Sequence, residues 1–300
     1  KKINVKKKKN SFLIDAVVQN DQSSLNSNIL KLLNLGFENI IIDDAKFKTN
    51  NEFSLEIDEQ FKVKNIILNS DINITQLKYK NLKIINNYFP EVDDFILLDN
   101  HKLNLNYKDN NLSINGVGQI QLNTEEVDKI KYFINKNDKD LRIDSELFLK
   151  NVALEQQDFL KNFFPQINKK INFNNHKLKI NFKNNNLTFS GSGKFKVDKD
   201  FEEIDYFIEK KDNEISFNTN LNVKNTKFQI NNFNYKKKNK SKMYLQINGK
   251  LKNNKNLNIT SFIINEDNNN IKIKNLSLNN FNQIIKIDQA NFNYLDTENK

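Results

Sequence analysis

The sequence predicts a mainly β protein: a long antiparallel repeat sheet with a few short helices. Three observations carry that reading. Apolar and polar residues alternate with period two through most of the 300 residues. Clusters of Asn, Asp and Lys separate the alternating runs, as turns between antiparallel strands do. The rare residues also recur in one register: the two prolines, Pro90 and Pro165, lie 75 positions apart, and so do the two histidines, His101 and His176. Such a recurrence marks an internal repeat.

The repeat is legible in detail. Tyr88-Phe89-Pro90 matches Phe163-Phe164-Pro165, and the 22 residues from His101 match the 22 from His176. One deletion later, Tyr132-Phe133-Ile134 matches Tyr206-Phe207-Ile208, and Lys150-Asn151 matches Lys224-Asn225. A fainter copy, FKVKN at 61–65, lies upstream. Four segments emerge from this register: a degenerate unit with a short helix at 1–87, repeats at 88–162 and 163–236, and an antiparallel meander at 237–300. All four are expected to join one continuous sheet.

The elements can be justified in order. Asn26 or Ser27 can cap a helix through Leu30, Leu32 and Leu33, with Gly36 placed to end it. The lead-in to Pro90 reads as a degraded copy of a second helix. In the first repeat, Leu112, Ile114, Ile120 and Leu122 share one parity, with Ser113, Asn115, Gln119 and Gln121 on the other. Ile130, Tyr132 and Ile134 continue the alternation. A helix is expected from Glu155 to Phe164, where Phe159, Leu160, Phe163 and Phe164 share a face and Pro165 stops it. The second repeat aligns Leu187, Phe189, Phe195 and Val197, then Ile204, Tyr206 and Ile208, then Ile215 and Phe217. Further alternating runs continue to Ile287. The strands should run to about 8–12 residues, longer than the usual ~5–6.

Gly116, Gly118, Gly191 and Gly193 fall on the apolar parity. Glycine inside a strand marks a bend, a bulge or a close approach by another group. We expect these four to bend their strands on the inner face, with an ordinary bulge as the competing reading. The apolar stripe itself needs a cover. A second sheet would supply one. A curled sheet facing itself across a groove would instead hold lipid chains.

The order of these features is a Phe-Pro-ended helix, a strand pair around an Asn-rich turn, a Gly-x-Gly strand, a Tyr-x-Ile strand, a return through Leu and Lys-Asn, and a meander with Asn-Asn-Asn-Ile-Lys-Ile. It resembles the AsmA-like family of bacterial envelope proteins, most closely a Lys/Asn-rich member from an AT-rich alphaproteobacterium. The resemblance covers nearly the whole chain and rests on no catalytic signature. It implies a periplasmic protein anchored in the inner membrane by a segment outside this chain, with a possible partner at the outer membrane. It also implies that the long antiparallel repeat sheet curls into an elongated groove (a β-taco) that carries phospholipid between the two membranes. Leu112, Ile114, Ile120, Leu122, Ile130, Tyr132, Ile134, Leu187, Phe189, Phe195, Val197, Ile204, Tyr206 and Ile208 are then the candidate groove lining, in contact with phospholipid acyl chains. A structural or adhesive β-repeat protein of the envelope, with a dry core, is the alternative.

Other classes find less support. The net charge is +10, yet Arg142 is the only arginine among 47 basic residues. Nucleic-acid surfaces favour arginine for bidentate contacts, so no nucleic-acid partner is expected. The chain has no cysteine, which excludes disulfides and thiolate chemistry. No apolar run approaches the ~18–20 residues needed to span a bilayer as a helix. Lys1 opens the chain, which we read as a piece of a longer protein. His101 and His176 occupy equivalent repeat positions and should lie too far apart to share a metal. Asp43-Asp44 and Asp93-Asp94 are adjacent carboxylates whose side chains point apart in a strand. The Gly-x-Gly pairs lack a third glycine and a following helix. No enzyme activity, cofactor or metal is expected.

Overall fold

The structure, a computed structural model, describes residues 1–25, 42–80, 95–122, 126–155, 158–167, 170–197, 199–253, 256–279 and 283–294. The helix expected from Asn26 or Ser27, the lead-in to Pro90 and the pair Asp93-Asp94 lie outside these residues. The described residues are mainly antiparallel strand, the class the alternation predicted. They divide into two compact units, the first holding the described residues up to Leu147 with Phe182–Asn184, the second holding Phe148–Asn181 and the described residues from Asn185 onward.

The first unit is a meander. Its strands are β1 (Lys2–Lys7), β2 (Ser11–Leu25), β3 (Ile42–Asp58), β4 (Val63–Lys80), β5 (Phe95–Lys108), β6 (Asn111–Gln121) and β7 (Asp128–Lys136). Each pairs antiparallel with the next in chain order. The Asn-rich turns work as their composition requires. Lys108 opposes Asn111, leaving Asp109 and Asn110 as a two-residue loop with φ of 49° and 61°. That is the type I′ geometry whose twist suits a hairpin. Asn and Asp tolerate positive φ because their short polar side chains bond locally. Strands β3 and β4 reach 17 and 18 residues, well beyond the expected length. Three register shifts interrupt their ladder, and such bulges bend a long strand without ending it.

β8 (Leu141–Glu155) starts in the first unit and ends in the second. The second unit continues with β9 (Lys170–Lys183), β10 (Asn186–Lys196), β11 (Phe201–Lys211), β12 (Glu214–Val223), the short β13 (Gln229–Ile230) and β14 (Tyr235–Lys236), β15 (Met243–Lys252), β16 (Asn256–Glu266), β17 (Asn269–Leu278), β18 (Ile284–Lys286) and β19 (Gln289–Asn293). β9 and β10 pair around Asn184 and Asn185, whose φ of 46° and 66° repeat the first turn. The ladder then runs β10–β11–β12–β15–β16–β17, antiparallel throughout, and β17 also pairs with β18 and β19. β13 and β14 form a separate ribbon within the excursion between β12 and β15. The helix expected over Glu155–Phe164 does not form as such. Glu155 ends β8, and among the described residues that follow, Asp158–Asn162 form a 3-10 turn. The Phe163 and Phe164 N–H groups both bond to the Leu160 carbonyl, which closes the chain just before Pro165. No helix among the described residues is long and apolar enough to cross a membrane.

Candidate functional site

Directly opposed residues in a ladder share a face, so the registers define the apolar face strand by strand. In the first unit, Ile14 opposes Leu55 and Ala16 opposes Phe53. Phe53 opposes Leu68, Leu68 opposes Tyr107, and Tyr107 opposes Leu112. One step along, Leu105 opposes Ile114, which opposes Ile134. These side chains are half-buried, apart from the buried Ala16. The polar exceptions on this face satisfy one another: Ser70 donates to the Asn51 amide oxygen, and the Asn51 amide donates to the Thr49 hydroxyl at 2.8 Å.

Among its described residues, the second unit buries its face at one end. Phe195, Val197, Val223, Met243, Leu245, Ile264 and Ile271 form a core with Phe164, Phe228, Ile230 and Tyr235. Phe164 meets Phe195 edge-on at 6.4 Å and Phe228 at 5.3 Å. Toward the other end, Phe189 opposes Ile208, Ile208 opposes Phe217, and Ile215 opposes Leu251. These five remain half-buried. The same face is therefore dry beneath residues 158–167 and 226–236 and open beyond them.

In each unit a line of glycine, tyrosine and histidine crosses the strands. Gly116 opposes Tyr132, and Gly191 opposes Tyr206. A Cβ at Gly116 or Gly191 would lie 2.3 Å from the tyrosine Cζ. A Cβ at Gly118 would lie 2.3 Å from the His101 ring, and one at Gly193 would lie 2.7 Å from His176 Nδ1. The glycines are the floor on which the rings lie. None of the four has positive φ; that conformation falls on Asn100 (51°) and Asn175 (47°), each just before its histidine. In β5, Asn100 and His101 form a bulge opposite the single residue Gly118. The β6–β7 and β10–β11 ladders run without register shifts.

Both histidines are buried, at 1% and 3% exposure. His101 Nε2 donates to the Gln119 carbonyl at 2.7 Å, which places its hydrogen on that nitrogen. His176 Nε2 and the Tyr206 hydroxyl share a hydrogen bond of 3.0 Å. Both Nδ1 atoms are buried without a partner. Burial pushes both imidazoles below their ordinary value and both tyrosines above theirs.

The buried end carries two carboxylates that the hydropathy pattern did not single out. Glu202 opposes Phe195 and is 4% exposed. It accepts the backbone N–H groups of Lys224, Asn225 and Thr226 at 2.8, 2.7 and 2.7 Å. Glu266 opposes Met243 and is fully buried. It accepts from Tyr235 at 2.7 Å, the Lys238 N–H at 2.6 Å, Asn269 at 3.3 Å and the Ser241 hydroxyl. Burial alone would raise the Glu266 carboxyl, but these donors together hold it below its ordinary value. Burial also pushes the Tyr235 hydroxyl far up and the Lys237 ammonium down. A signal for Glu202 did exist in the sequence: it shares the parity of Ile204 and Tyr206, and Asp128 shares that of Ile130 and Tyr132. Asp128 is buried too.

The expected lining residues thus separate by environment. Leu112, Ile114, Ile130, Tyr132 and Ile134 are half-buried on the first unit's apolar face, with Leu122 half-buried just past the end of β6; Ile120 is buried opposite Asp128. Leu187, Phe189 and Ile208 lie at the open end of the second unit, and Tyr206 in the ring line. Phe195 and Val197 are in the closed core, with Ile204 packed against it. Among the described residues, no group of three or more His, Asp or Glu could hold a metal ion. No protein-family model, curated protein or solved structure matches this chain.

Proposed function

We propose that this chain is a non-enzymatic lipid-transfer segment whose apolar sheet face carries phospholipid acyl chains across the periplasm. In this reading the intact protein is anchored in the inner membrane and delivers toward the outer one. The carrying observation is the open end of the apolar face. Phe189, Ile208, Phe217, Ile215 and Leu251 share a surface and stay half-exposed, while the same face is sealed a few residues away. An acyl chain laid on it gains about 0.8 kcal/mol per buried methylene relative to water. Within the open stretch these five side chains are all apolar, so sliding along it changes the energy little. Transfer needs no covalent step, and direction would come from partners at the ends.

The closed core around Phe164 favours a second reading at that end, a dry structural repeat. One experiment separates the two. A photo-crosslinking residue at Ile114 should capture phospholipid in membranes, and one at the neighbouring outward position Asn115 should not. Equal capture at both sites, or none at either with folded protein, would favour the structural repeat.

A further inference from the structure

We infer that the excursion between β12 and β15, residues 224–242, is a strap that opens from the apolar face as a unit while the strands beneath it stay paired. Three features carry the inference, and it stands whether or not the face binds lipid.

The first is topological. Val223 pairs directly with Met243, so the β12–β15 ladder closes beneath the excursion. Lifting the strap breaks no rung of the sheet. The strap also holds its own shape through the β13–β14 ribbon and the Asn234 turn at φ 51°.

The second is the fastening. Beside the apolar packing of Phe228, Ile230 and Tyr235, the sheet fastens the strap with two polar clasps, Glu202 of β11 and Glu266 of β16. Glu202 takes three consecutive backbone N–H groups at one foot, and Glu266 takes Tyr235, Lys238 and Ser241 toward the other. Within the strap, Lys237 Nζ donates to the Lys224 and Lys238 carbonyls and draws the two feet together. A buried carboxylate is tolerated only with its donors in place. Here most of those donors belong to the strap, so each clasp is made or lost as a whole.

The third is what lies underneath. The strap covers Val197, Val223, Met243 and Ile264, which belong to the same face that lies open beyond the ring line. Opening would extend that open face under the strap. The strap must also leave its other neighbours. Phe228 stacks on Phe163, the Gln229 N–H bonds to the Phe163 carbonyl, and the Tyr294 hydroxyl bonds to the Phe233 carbonyl.

Hydrogen exchange across a denaturant series tests the inference on this chain. In the unmodified protein, strap amides such as Gln229 and Lys237 should exchange through an opening with weak denaturant dependence, while β12 and β15 amides await global unfolding. Glu202→Gln and Glu266→Gln each remove an oxygen that accepts from the strap, and should speed strap exchange about tenfold or more, with β15–β17 protection unchanged. Strap and strand amides exchanging together in the unmodified protein would overturn the inference, even if the variants fail to fold. So would strap exchange unaltered in both variants.

Discussion

Gly191 and Tyr206 face each other across β10 and β11, and each explains the other. The tyrosine ring lies where a glycine Cβ would be, so it covers bare backbone that would otherwise weaken the strand. Gly191→Ala therefore overpacks the site and should cost about 1–3 kcal/mol in chemical denaturation. Adding Tyr206→Ala should return part of that loss, since the two changes share one contact. Ser192→Val, on the exposed side of the same strand, should move stability little. The glycines on the apolar parity were legible in the sequence. Their partners were not, because Tyr206 and His176 lie on neighbouring strands and only register brings them together. The histidines add a pH effect. Burial holds their folded values below the ordinary 6.5. The unfolded chain therefore binds more protons just below that pH, and stability falls as pH drops from about 6.5 toward the folded values. His101→Phe with His176→Phe should flatten that part of a Tm-against-pH curve. An unchanged slope would assign it to other groups.

At the scale of the element, the useful contrast is between two phenylalanines of β10. Phe195 is sealed by Phe164, and Phe189 is half-exposed on the same face. Phe195→Ala should cost about 3–5 kcal/mol, the loss typical of a buried ring. Phe189→Ala should cost clearly less under the same denaturation. Equal losses would mean that the open end is covered in solution. The parity argument could not separate these residues, because alternation reports which side a residue takes and says nothing of what covers that side. The cover comes from residues 158–167 and 226–236. The first was expected to be a helix because Phe159, Leu160, Phe163 and Phe164 have helical spacing. Five residues of 3-10 turn are enough to deliver Phe163 and Phe164 to the core.

For the whole molecule, the repeat of 75 positions was the most reliable guide. It foretold matched hairpins, and the two Asn-rich turns have closely matching pairs of positive φ, 49° and 61° against 46° and 66°. It also put both histidines directly after left-handed asparagines. The strap was hidden for a physical reason: Phe228 and Ile230 alternate as a strand of the sheet would, and the clasps of Glu202 and Glu266 that mark the segment as an excursion are polar bonds that leave no hydropathy signal. Under the lipid-transfer proposal, Phe189→Asp should lower phospholipid recovered with the purified protein while Tm changes little, because a charge at a half-exposed site stays hydrated. Unchanged lipid recovery with intact folding would count against the proposal.

Among the described residues of the first unit, β1 to β7 pair in chain order, each with the next. The consequence is hereditary. A duplication or deletion that spans one hairpin would change the number of strands by two and leave every other pairing, and the facing of every other side chain, as it was. Size in such a molecule is a trait that mutation can adjust in whole steps, without first solving a new folding problem.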